Sequence, residues 1–144
     1  MEGNRRFRPE CRRARLGCVR MRPDPAPANP RSSLGRAGED AALQTYLQLG
    51  FRTVARNWRC SLGELDLVLE RDGTLVFCEV KTRRGSAFGA GYEAVTWSKQ
   101  SKVRQLAEAF LASNRLFPAR VRFDVASVLL GRGEADVELF EDAF

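Results

Sequence analysis

The sequence contains no histidine, and its four cysteines show no CxxC spacing. Protein zinc sites are built mainly from these two residue types, so a zinc centre of the usual kind is not expected. Cys60 ends one predicted strand and Cys78 lies on the apolar face of another, which favours buried free thiols. Unpaired thiols fit a reducing environment, and we expect a cytoplasmic location.

Long apolar runs are also lacking. No apolar stretch of the chain is long enough to span a membrane, and the hydrophobic core of a signal peptide is not present. We therefore expect no membrane partner. A chain of 144 residues can bury one sizeable core, so the length favours a single folded domain.

Proline is scarce except near the N-terminus, where four prolines lie within residues 23–30. This composition predicts that residues 1–31 form a disordered, Arg/Pro-rich tail and that residues 32–144 form the domain. Residues 1–38 contain ten arginines and three acidic residues, a net charge of +7, whereas residues 39–144 contain 14 basic and 15 acidic residues, a net charge of −1. The high isoelectric point therefore belongs to the tail, and the domain is nearly neutral.

The tail has two main interpretations. In the first it is a basic arm that contacts phosphate groups. In the second, translation begins at Met21 and residues 1–20 are an artefact of the assigned start. A targeting peptide rich in arginine is less favoured, because Glu2 and Glu10 interrupt the basic sequence.

The clearest pattern in the chain is a β-hairpin over residues 63–84, GELDLVLERDGTLVFCEVKTRR. Its arms are residues 65–70 and 74–80, and Asp72-Gly73 between them predicts a two-residue type I′ turn that pairs Arg71 with Thr74. The apolar side chains then share one face: Leu65, Leu67, Leu69, Val76, Cys78 and Val80. The other face carries the acidic residues at the end far from the turn.

On that second face, the register puts Asp66 directly opposite Glu79 and Glu64 directly opposite Lys81. Like charges opposed across a sheet are destabilising, and a divalent cation with oxygen ligands would relieve the repulsion. The alternative is an exposed face on which Glu64–Lys81 and Glu79–Lys81 are ordinary surface ion pairs.

The remaining elements follow from periodicity and caps. We expect a helix over residues 36–49 that Gly50 ends, a strand over 51–60, and a glycine-rich loop over 85–91 near the acidic end of the hairpin. A second helix should run from its cap at Thr96 to about Asn114. Strands are expected over 121–130 and, short and acidic, over 135–140. This pattern predicts an α/β domain with a mixed sheet flanked by helices.

Basic residues are concentrated beside the acidic end of the hairpin. From Lys81 to Arg104 there are six basic residues against one acid, a net charge of +5. Such a patch suits the backbone of a nucleic acid. The candidate phosphate contacts are Arg83, Arg84, Lys99 and Lys102, with Arg56 and Arg59 from the preceding strand. Trp58 is interpreted as a core residue rather than a stacking platform.

An aspartate on one strand and Glu-x-Lys on the next suit a nuclease site. Asp66 and Glu79 would hold Mg²⁺ (or Mn²⁺), with the Val80 carbonyl as a further ligand, and the metal would activate water and stabilise charge on the phosphate. Lys81 could position the attacking water. Glu39 could add an outer carboxylate, although an acid in the first turn of a helix is also explained by the helix dipole.

Several motifs together make the chain resemble the YraN-type family of bacterial proteins over about residues 34–144. The motifs are Gly38-Glu39-Asp40, Ala55-Arg56-Asn57-Trp58-Arg59, Gly63-Glu64-Leu65-Asp66-Leu67-Val68, Phe77-Cys78-Glu79-Val80-Lys81-Thr82-Arg83, Phe88-Gly89, Glu93-Ala94-Val95 and Lys99-Gln100. The chain departs from the family pattern at Gly91, where a proline is common.

That family is similar to the restriction-endonuclease-like, or PD-(D/E)xK, superfamily, which includes archaeal Holliday-junction resolvases. The resemblance implies their mixed sheet flanked by helices and a D…ExK metal site. It implies catalytic roles for Asp66, Glu79 and Lys81, and it matches Glu39 to a helical glutamate of the resolvases. Gln100 matches a position where relatives place a polar group close to the site, and Glu64 is kept as a possible additional ligand.

Three functions are compatible with these features. The first is a Mg²⁺-dependent endonuclease acting on branched or damaged DNA, as a homodimer if it cuts two strands. The second is a nucleic-acid-binding module that retains the fold without catalysis, and the third is a protein-interaction domain, which the nearly neutral domain favours. Binding to phosphate should weaken steeply with salt, whereas binding to a protein partner need not.

Overall fold

The structure is a computed structural model that describes residues 30–85 and 96–144. In these residues the chain forms α1 (Pro30–Gln48), β1 (Arg52–Cys60), β2 (Gly63–Arg71), β3 (Thr74–Arg84), α2 (Trp97–Asn114), β4 (Arg120–Leu130) and β5 (Ala135–Phe140). The predicted tail, apart from its last two residues, and most of the predicted glycine-rich loop lie outside the described residues.

The five strands form one sheet in the order β1-β2-β3-β4-β5. Strands β3 and β4 are parallel and are joined through α2, whereas the other three neighbouring pairs are antiparallel. The prediction of a single α/β domain with a mixed sheet and flanking helices is therefore confirmed.

Helix α1 begins at Pro30, so its predicted start at residue 36 was wrong. Proline suits the first position of a helix, because its fixed φ is helical and its missing N–H would have no partner there. The earlier start places Glu39 in the interior of α1, and the first turn contains no acidic residue. Since the helix dipole acts only within the terminal turn, it does not explain Glu39.

The end of α1 agrees with the prediction. Gly50 has a φ of 84°, and the N–H groups of Gly50 and Phe51 donate to the carbonyls of Leu47 and Tyr46 at 3.0 Å each. This is the Schellman arrangement, which favours glycine at the left-handed position. The Phe51 ring packs edge-on against Tyr46 with a centroid separation of 5.2 Å, so the start of β1 is anchored to α1.

The turn between β2 and β3 is the predicted one. Asp72 and Gly73 have φ values of 51° and 78°, as a type I′ turn requires, and Arg71 pairs with Thr74. The local chemistry of two residues therefore fixes the register of the two strands at the turn.

One helix packs on each face of the sheet. Val76 and Phe77 are neighbours in β3, so their side chains point to opposite faces. Val76 packs with α1 residues and Phe77 with α2 residues. The predicted contrast between an apolar and a polar face was therefore wrong for the part of the hairpin near the turn, where both faces are buried. Leu65 packs on the α2 side, and its assignment to the other face was wrong.

Gly38 allows α1 to lie directly on β3. A Cβ atom at this position would be 1.8 Å from Oγ1 and 2.7 Å from Cβ of Thr82. No side chain larger than hydrogen fits such an approach, and Thr82 lies only three residues after Glu79 in the same strand. The close contact brings the next residue of α1, Glu39, to the acidic end of the hairpin.

Helix α2 has the predicted N-cap. The Lys99 N–H donates to the Thr96 hydroxyl at 3.4 Å, and Val103, Leu106, Ala107 and Phe110 form the buried stripe. Trp58 packs edge-on against Phe110 at 5.3 Å between ring centroids, which confirms its interpretation as a core residue.

Neither described helix has the length and apolar character needed to cross a membrane.

Candidate functional site

The site lies where β2 and β3 separate. The backbone pairing between these two strands ends at the pair Leu67–Cys78. Beyond this point β3 continues alongside β4 and β2 continues alongside β1, so the two strands open into a fork. Asp66 and Glu79 are the first residues of the fork.

The predicted direct pairing of Asp66 with Glu79, and of Glu64 with Lys81, was therefore wrong, because the ladder ends one step earlier. The fork still brings the residues together by another route. The Val80 N–H, which would otherwise pair with the backbone of β2, donates instead to Oδ2 of Asp66 at 2.8 Å. The aspartate is thereby held beside the Glu79-Val80-Lys81 segment.

Asp66 is in an environment that disfavours its charge. Burial is the main cause, and Glu79, Glu39 and Glu64 add repulsion, so the pKa of Asp66 rises to about 7 although the Val80 N–H stabilises the ionised form. The four carboxylates are thus close enough to influence one another. A cation placed among them would favour the ionised form of Asp66.

Glu79 already has a cationic partner. The Nζ atom of Lys99, in the first turn of α2, forms an ion pair with Oε1 of Glu79, whose side chain is only 17% exposed. The structure places Lys99 on a site carboxylate, and its predicted contact with phosphate stays a prediction. Its ammonium stabilises negative charge at the position where the sequence predicts a metal ion.

Glu39 reaches the site from α1 and is held by β1. Its Oε2 atom accepts a hydrogen bond from Nδ2 of Asn57 at 2.9 Å, and the Arg56 guanidinium lies 3.8 Å away. Asn57 adopts a φ of 48°, which is uncommon for a residue inside a strand. The contacts hold the Glu39 carboxylate close enough to Asp66 to help raise its pKa. The role of Glu39 as an outer carboxylate of a metal site stays a prediction.

Arg56 and Arg59 are both engaged with acidic residues. Arg56 donates to Oδ1 of Asp40 at 2.7 Å, and Arg59 binds both carboxylate oxygens of Glu64 at 3.0 and 3.2 Å. Arg56 therefore ties β1 to α1, while Arg59 and Glu64 lie on neighbouring strands at the rim of the fork. Their predicted contacts with nucleic acid stay predictions.

The remaining candidates lie around the fork. Lys81 is two residues after Glu79, so both side chains are on the same face of β3, and Arg83 follows on that face. Arg84 is exposed at the end of β3. Gln100 is partly buried and Lys102 exposed near the start of α2.

The donor set suits a hard divalent cation. Asp66, Glu79 and the Val80 carbonyl supply oxygen only, and Mg²⁺ commonly uses one or two carboxylates with water and substrate phosphate for the rest. Within the described ranges, no three acidic or cysteine side chains form a ready-made metal cluster. The oxygen donors at the fork are of the kind that Mg²⁺ uses, and the binding of a metal ion there stays a prediction.

Two site residues were not singled out in the sequence for the roles they have. Asn57 positions Glu39, and Lys99 neutralises Glu79; both contacts depend on how helices pack on the sheet. The only signal for Asn57 was its tolerance of left-handed backbone, which asparagine shares with few residues. For Lys99 the sequence offered no signal beyond its place in the basic segment.

Comparison with known proteins decides the family. The model of the uncharacterised protein family UPF0102 matches residues 38–128, a range that includes every candidate site residue named above. The chain belongs to this family. The YraN-type resemblance deduced from the motifs is therefore confirmed.

Curated UPF0102 proteins match most of the chain. The protein of Rhodococcus jostii is 44% identical over 113 residues, which cover 78% of this chain and 96% of the relative. The protein of Parafrankia sp. is 47% identical over 112 residues, or 77% and 95% of the two chains. The protein of Mycolicibacterium smegmatis is 47% identical over 104 residues, or 71% and 84%.

Proposed function

We propose that this UPF0102 protein is a Mg²⁺-dependent endonuclease of the restriction-endonuclease-like type that hydrolyses phosphodiester bonds in DNA, with branched or damaged DNA as its preferred substrate. The main support is the fork between β2 and β3. There the Asp66 carboxylate is joined to the backbone of Val80, between Glu79 and Lys81. An aspartate is thus fixed beside a Glu-x-Lys segment although Asp66 and Glu79 are 13 positions apart in the sequence.

Asp66 and Glu79 are the residues that would hold the ion. Bound Mg²⁺ would lower the pKa of a water molecule and stabilise charge on the phosphate in the transition state. Asp66 has one oxygen committed to the Val80 N–H, so its orientation is set before substrate arrives. Glu39 is held by Asn57 and would act as an outer carboxylate that accepts a hydrogen bond from a metal-bound water.

Lys81 is the residue best placed to act on the nucleophile. It is on the same face of β3 as Glu79. Its ammonium can donate a hydrogen bond to the attacking water, and its positive charge is attracted to the anionic substrate. Lys99 pairs with Glu79 in this structure, and its ammonium would be close enough to a phosphate at the site to contact an oxygen of it. Recognition by backbone and shape is expected, since no element within the described residues is suited to reading base edges.

The test is cleavage of a labelled panel by the protein and its Glu79→Gln variant, with Mg²⁺ or Mn²⁺. The panel contains duplex, single-stranded, flapped and four-way-junction DNA and a structured RNA. Metal ions stabilise such transition states by several kcal/mol, so Glu79→Gln should reduce cutting by at least about 100-fold. Glu108→Gln, an exposed glutamate on α2, is the matched control and should cut normally.

Equal cutting by both variants and the wild type would contradict the proposal, since it would indicate a contaminant or another active site. Tight binding of junction DNA without cutting would instead favour a nucleic-acid-binding module of the same fold. Gel filtration of the complex would decide whether two copies act together, as cutting of both strands would require.

A further inference from the structure

Lys99 brings a cation to the candidate site from outside the Asp…Glu-x-Lys pattern. Its Nζ atom forms an ion pair with Oε1 of Glu79. The Lys99 side chain is 46% exposed, whereas the Glu79 side chain is 17% exposed. The carboxylate therefore belongs to the site, while the ammonium reaches it from the solvent side.

The backbone at Lys99 is held by the N-cap of α2. The Lys99 N–H donates to the Thr96 hydroxyl at 3.4 Å, and the Gln100 N–H donates to the Thr96 carbonyl at 2.9 Å. These bonds fix the point from which the lysine stem starts. Because that stem is a flexible chain of four carbons, its ammonium can leave Glu79 while the helix stays in place.

A divalent cation on Glu79 would compete with this ammonium. Both are attracted by the same carboxylate, and the positive charges of the two repel each other at contact distance. Asp66, the other predicted ligand, has one oxygen on the Val80 N–H. Glu79 is thus a predicted ligand whose charge is already neutralised by the protein itself, and this lowers the affinity of the free protein for a metal ion.

A phosphate group at the site would give Lys99 another partner. Two oxygens bound to one Mg²⁺ are at most about 4.2 Å apart, because each lies about 2.1 Å from the ion. A phosphate oxygen that shares the ion with Glu79 is therefore within reach of an ammonium that already contacts Glu79. Lysine binds phosphate as a point charge, so this contact does not require one fixed geometry.

We propose that Lys99 makes the binding of metal and of nucleic acid cooperative. In the free protein its ammonium pairs with Glu79 and keeps the affinity for divalent ions low. When a phosphate enters, the ammonium moves to the phosphate and leaves Glu79 to the ion. This inference rests on the proposed function, because it takes the fork as the place where metal and phosphate bind, and it adds the way in which the site is regulated.

The test is calorimetric titration with Ca²⁺, which replaces Mg²⁺ to limit cutting, of the protein alone and of its complex with a four-way-junction DNA. The junction alone serves as the blank. Coupling between two ligands is commonly 5- to 150-fold, and we expect the junction to tighten Ca²⁺ binding to the wild type about 50-fold.

Lys99→Met keeps the apolar stem and removes the ammonium. Without DNA it should bind Ca²⁺ about tenfold more tightly than the wild type, because no ion pair has to be given up. The junction should then tighten Ca²⁺ binding only about fivefold. Lys99→Arg keeps the positive charge and should retain most of the coupling.

Lys102→Met is the matched control, because it removes the same charge from the same helix. Cε of Lys102 is 3.7 Å from the place of a Cβ on Gly63, and Gly63 is three residues before Asp66 in β2, a distance of about 10 Å. Exposed charges this far apart are largely screened, since the Debye length in physiological salt is about 8 Å. Lys102→Met should therefore leave the Ca²⁺ affinity of the free protein within about twofold.

The possible results separate the inference from the proposed function. If the junction tightens Ca²⁺ binding equally in the wild type and in Lys99→Met, or in neither, the inference is overturned and the proposed function stands. The inference is also overturned if Lys99→Met and Lys102→Met raise the Ca²⁺ affinity equally, because net charge and not the contact with Glu79 is then the cause. If neither Ca²⁺ nor the junction binds to the wild type, both the inference and the proposed function fail.

Discussion

At the scale of single residues, the environment of Asp66 disfavours the ionised form of its carboxyl group. An aspartate in an unfolded chain loses its proton near pH 4, whereas burial and the neighbouring acids raise the pKa of Asp66 in the folded protein to about 7. Between these values the folded state binds more protons than the unfolded state. The free energy of unfolding should therefore fall as pH rises from about 4 to 7.

This predicts that Asp66→Asn stabilises the metal-free protein. The amide oxygen can still accept the Val80 N–H, while the repulsion with Glu79, Glu39 and Glu64 is removed. We expect a gain of about 2 kcal/mol in the free energy of unfolding at pH 8, since each pKa unit corresponds to ~1.4 kcal/mol and the site is only partly buried. Urea unfolding in EDTA measures it.

The gain should disappear near pH 4, where Asp66 is protonated in the folded wild type. A variant less stable than wild type at pH 8 would show that the aspartate is a structural group, not a site group held under repulsion. Loss of stability in exchange for function is common at active sites.

Among the elements, α1 is positioned by a single glycine. Gly38 touches Thr82 so closely that an added Cβ would meet both Oγ1 and Cβ, and rotation of the threonine side chain cannot move its Cβ. The contact therefore fixes the distance from α1 to β3. The same contact sets how far the backbone of Glu39, the next residue of α1, lies from the candidate site.

We predict that Gly38→Ala costs ~1–3 kcal/mol of stability, as over-packing of a core usually does. Gly35 is the matched control, because it lies in the same helix and a Cβ added there would have no atom within 4 Å. Gly35→Ala should be stabilising by up to about 1 kcal/mol, since alanine is the better helix former. Thermal unfolding of the two variants compares them directly.

Cutting by the folded Gly38→Ala protein should also be reduced, because α1 must move away from β3 and takes Glu39 with it. Gly38→Ala/Thr82→Gly removes the clashing side chain and should recover part of the activity. Unchanged stability in Gly38→Ala would mean that α1 shifts freely, and that Glu39 is not held by this contact.

The same elements explain what could be predicted from sequence. Asp72-Gly73, Gly50 and Thr96 each act through backbone preferences and hydrogen bonds within a few residues, so the turn and two helix ends were predictable. The fork was not. It exists because β3 pairs along its whole length with β4, a parallel partner brought from beyond α2, while β2 stays with β1. Local patterns contain no information about which partner a strand keeps.

At the site, residue types were predictable and contacts were not. The acids and Lys81 follow from the Asp…Glu-x-Lys spacing, because strand alternation is local. The pairing of Lys99 with Glu79 and of Asn57 with Glu39 depends on the distance between a helix and the sheet, which is set by core packing.

For the molecule as a whole, a buried polar network joins parts of the chain that are far apart in sequence. Asp124 of β4 is fully buried. Its carboxylate accepts hydrogen bonds from the Tyr46 hydroxyl at 2.7 Å, from Arg122 Nε at 2.9 Å, from Arg122 Nη2 at 2.8 Å and from the Asp142 N–H at 3.0 Å. It thus connects α1, the sheet and the segment after β5.

The network was visible in the sequence only as one acid inside the apolar strand of residues 121–130. A buried carboxylate is stable when its hydrogen bonds and a cation compensate for lost hydration, and Asp124 has both. Burial and the nearby Asp124 also raise the pKa of Tyr46 above its ordinary value. The Tyr46 hydroxyl therefore keeps its proton, and remains a hydrogen-bond donor, at every pH at which the protein is folded. The arrangement ties the backbone of the C-terminal segment to the core through the Asp142 N–H.

We therefore predict unequal costs for changes within the network. Asp124→Ala should lower the free energy of unfolding by ~3–5 kcal/mol, because it removes the closer carboxylate partner of Arg122, which is mostly buried, and leaves the pair with Glu141 at 3.3 Å. Tyr46→Phe should cost only ~1–2 kcal/mol, because the carboxylate keeps three other donors. Replacing both charges, as Asp124→Leu/Arg122→Met, should recover much of the loss, since an apolar pair leaves no unpaired charge. If urea unfolding instead finds the double variant as unstable as Asp124→Ala, the carboxylate acts mainly by tying down Asp142 and the C-terminal segment, and not by compensating Arg122.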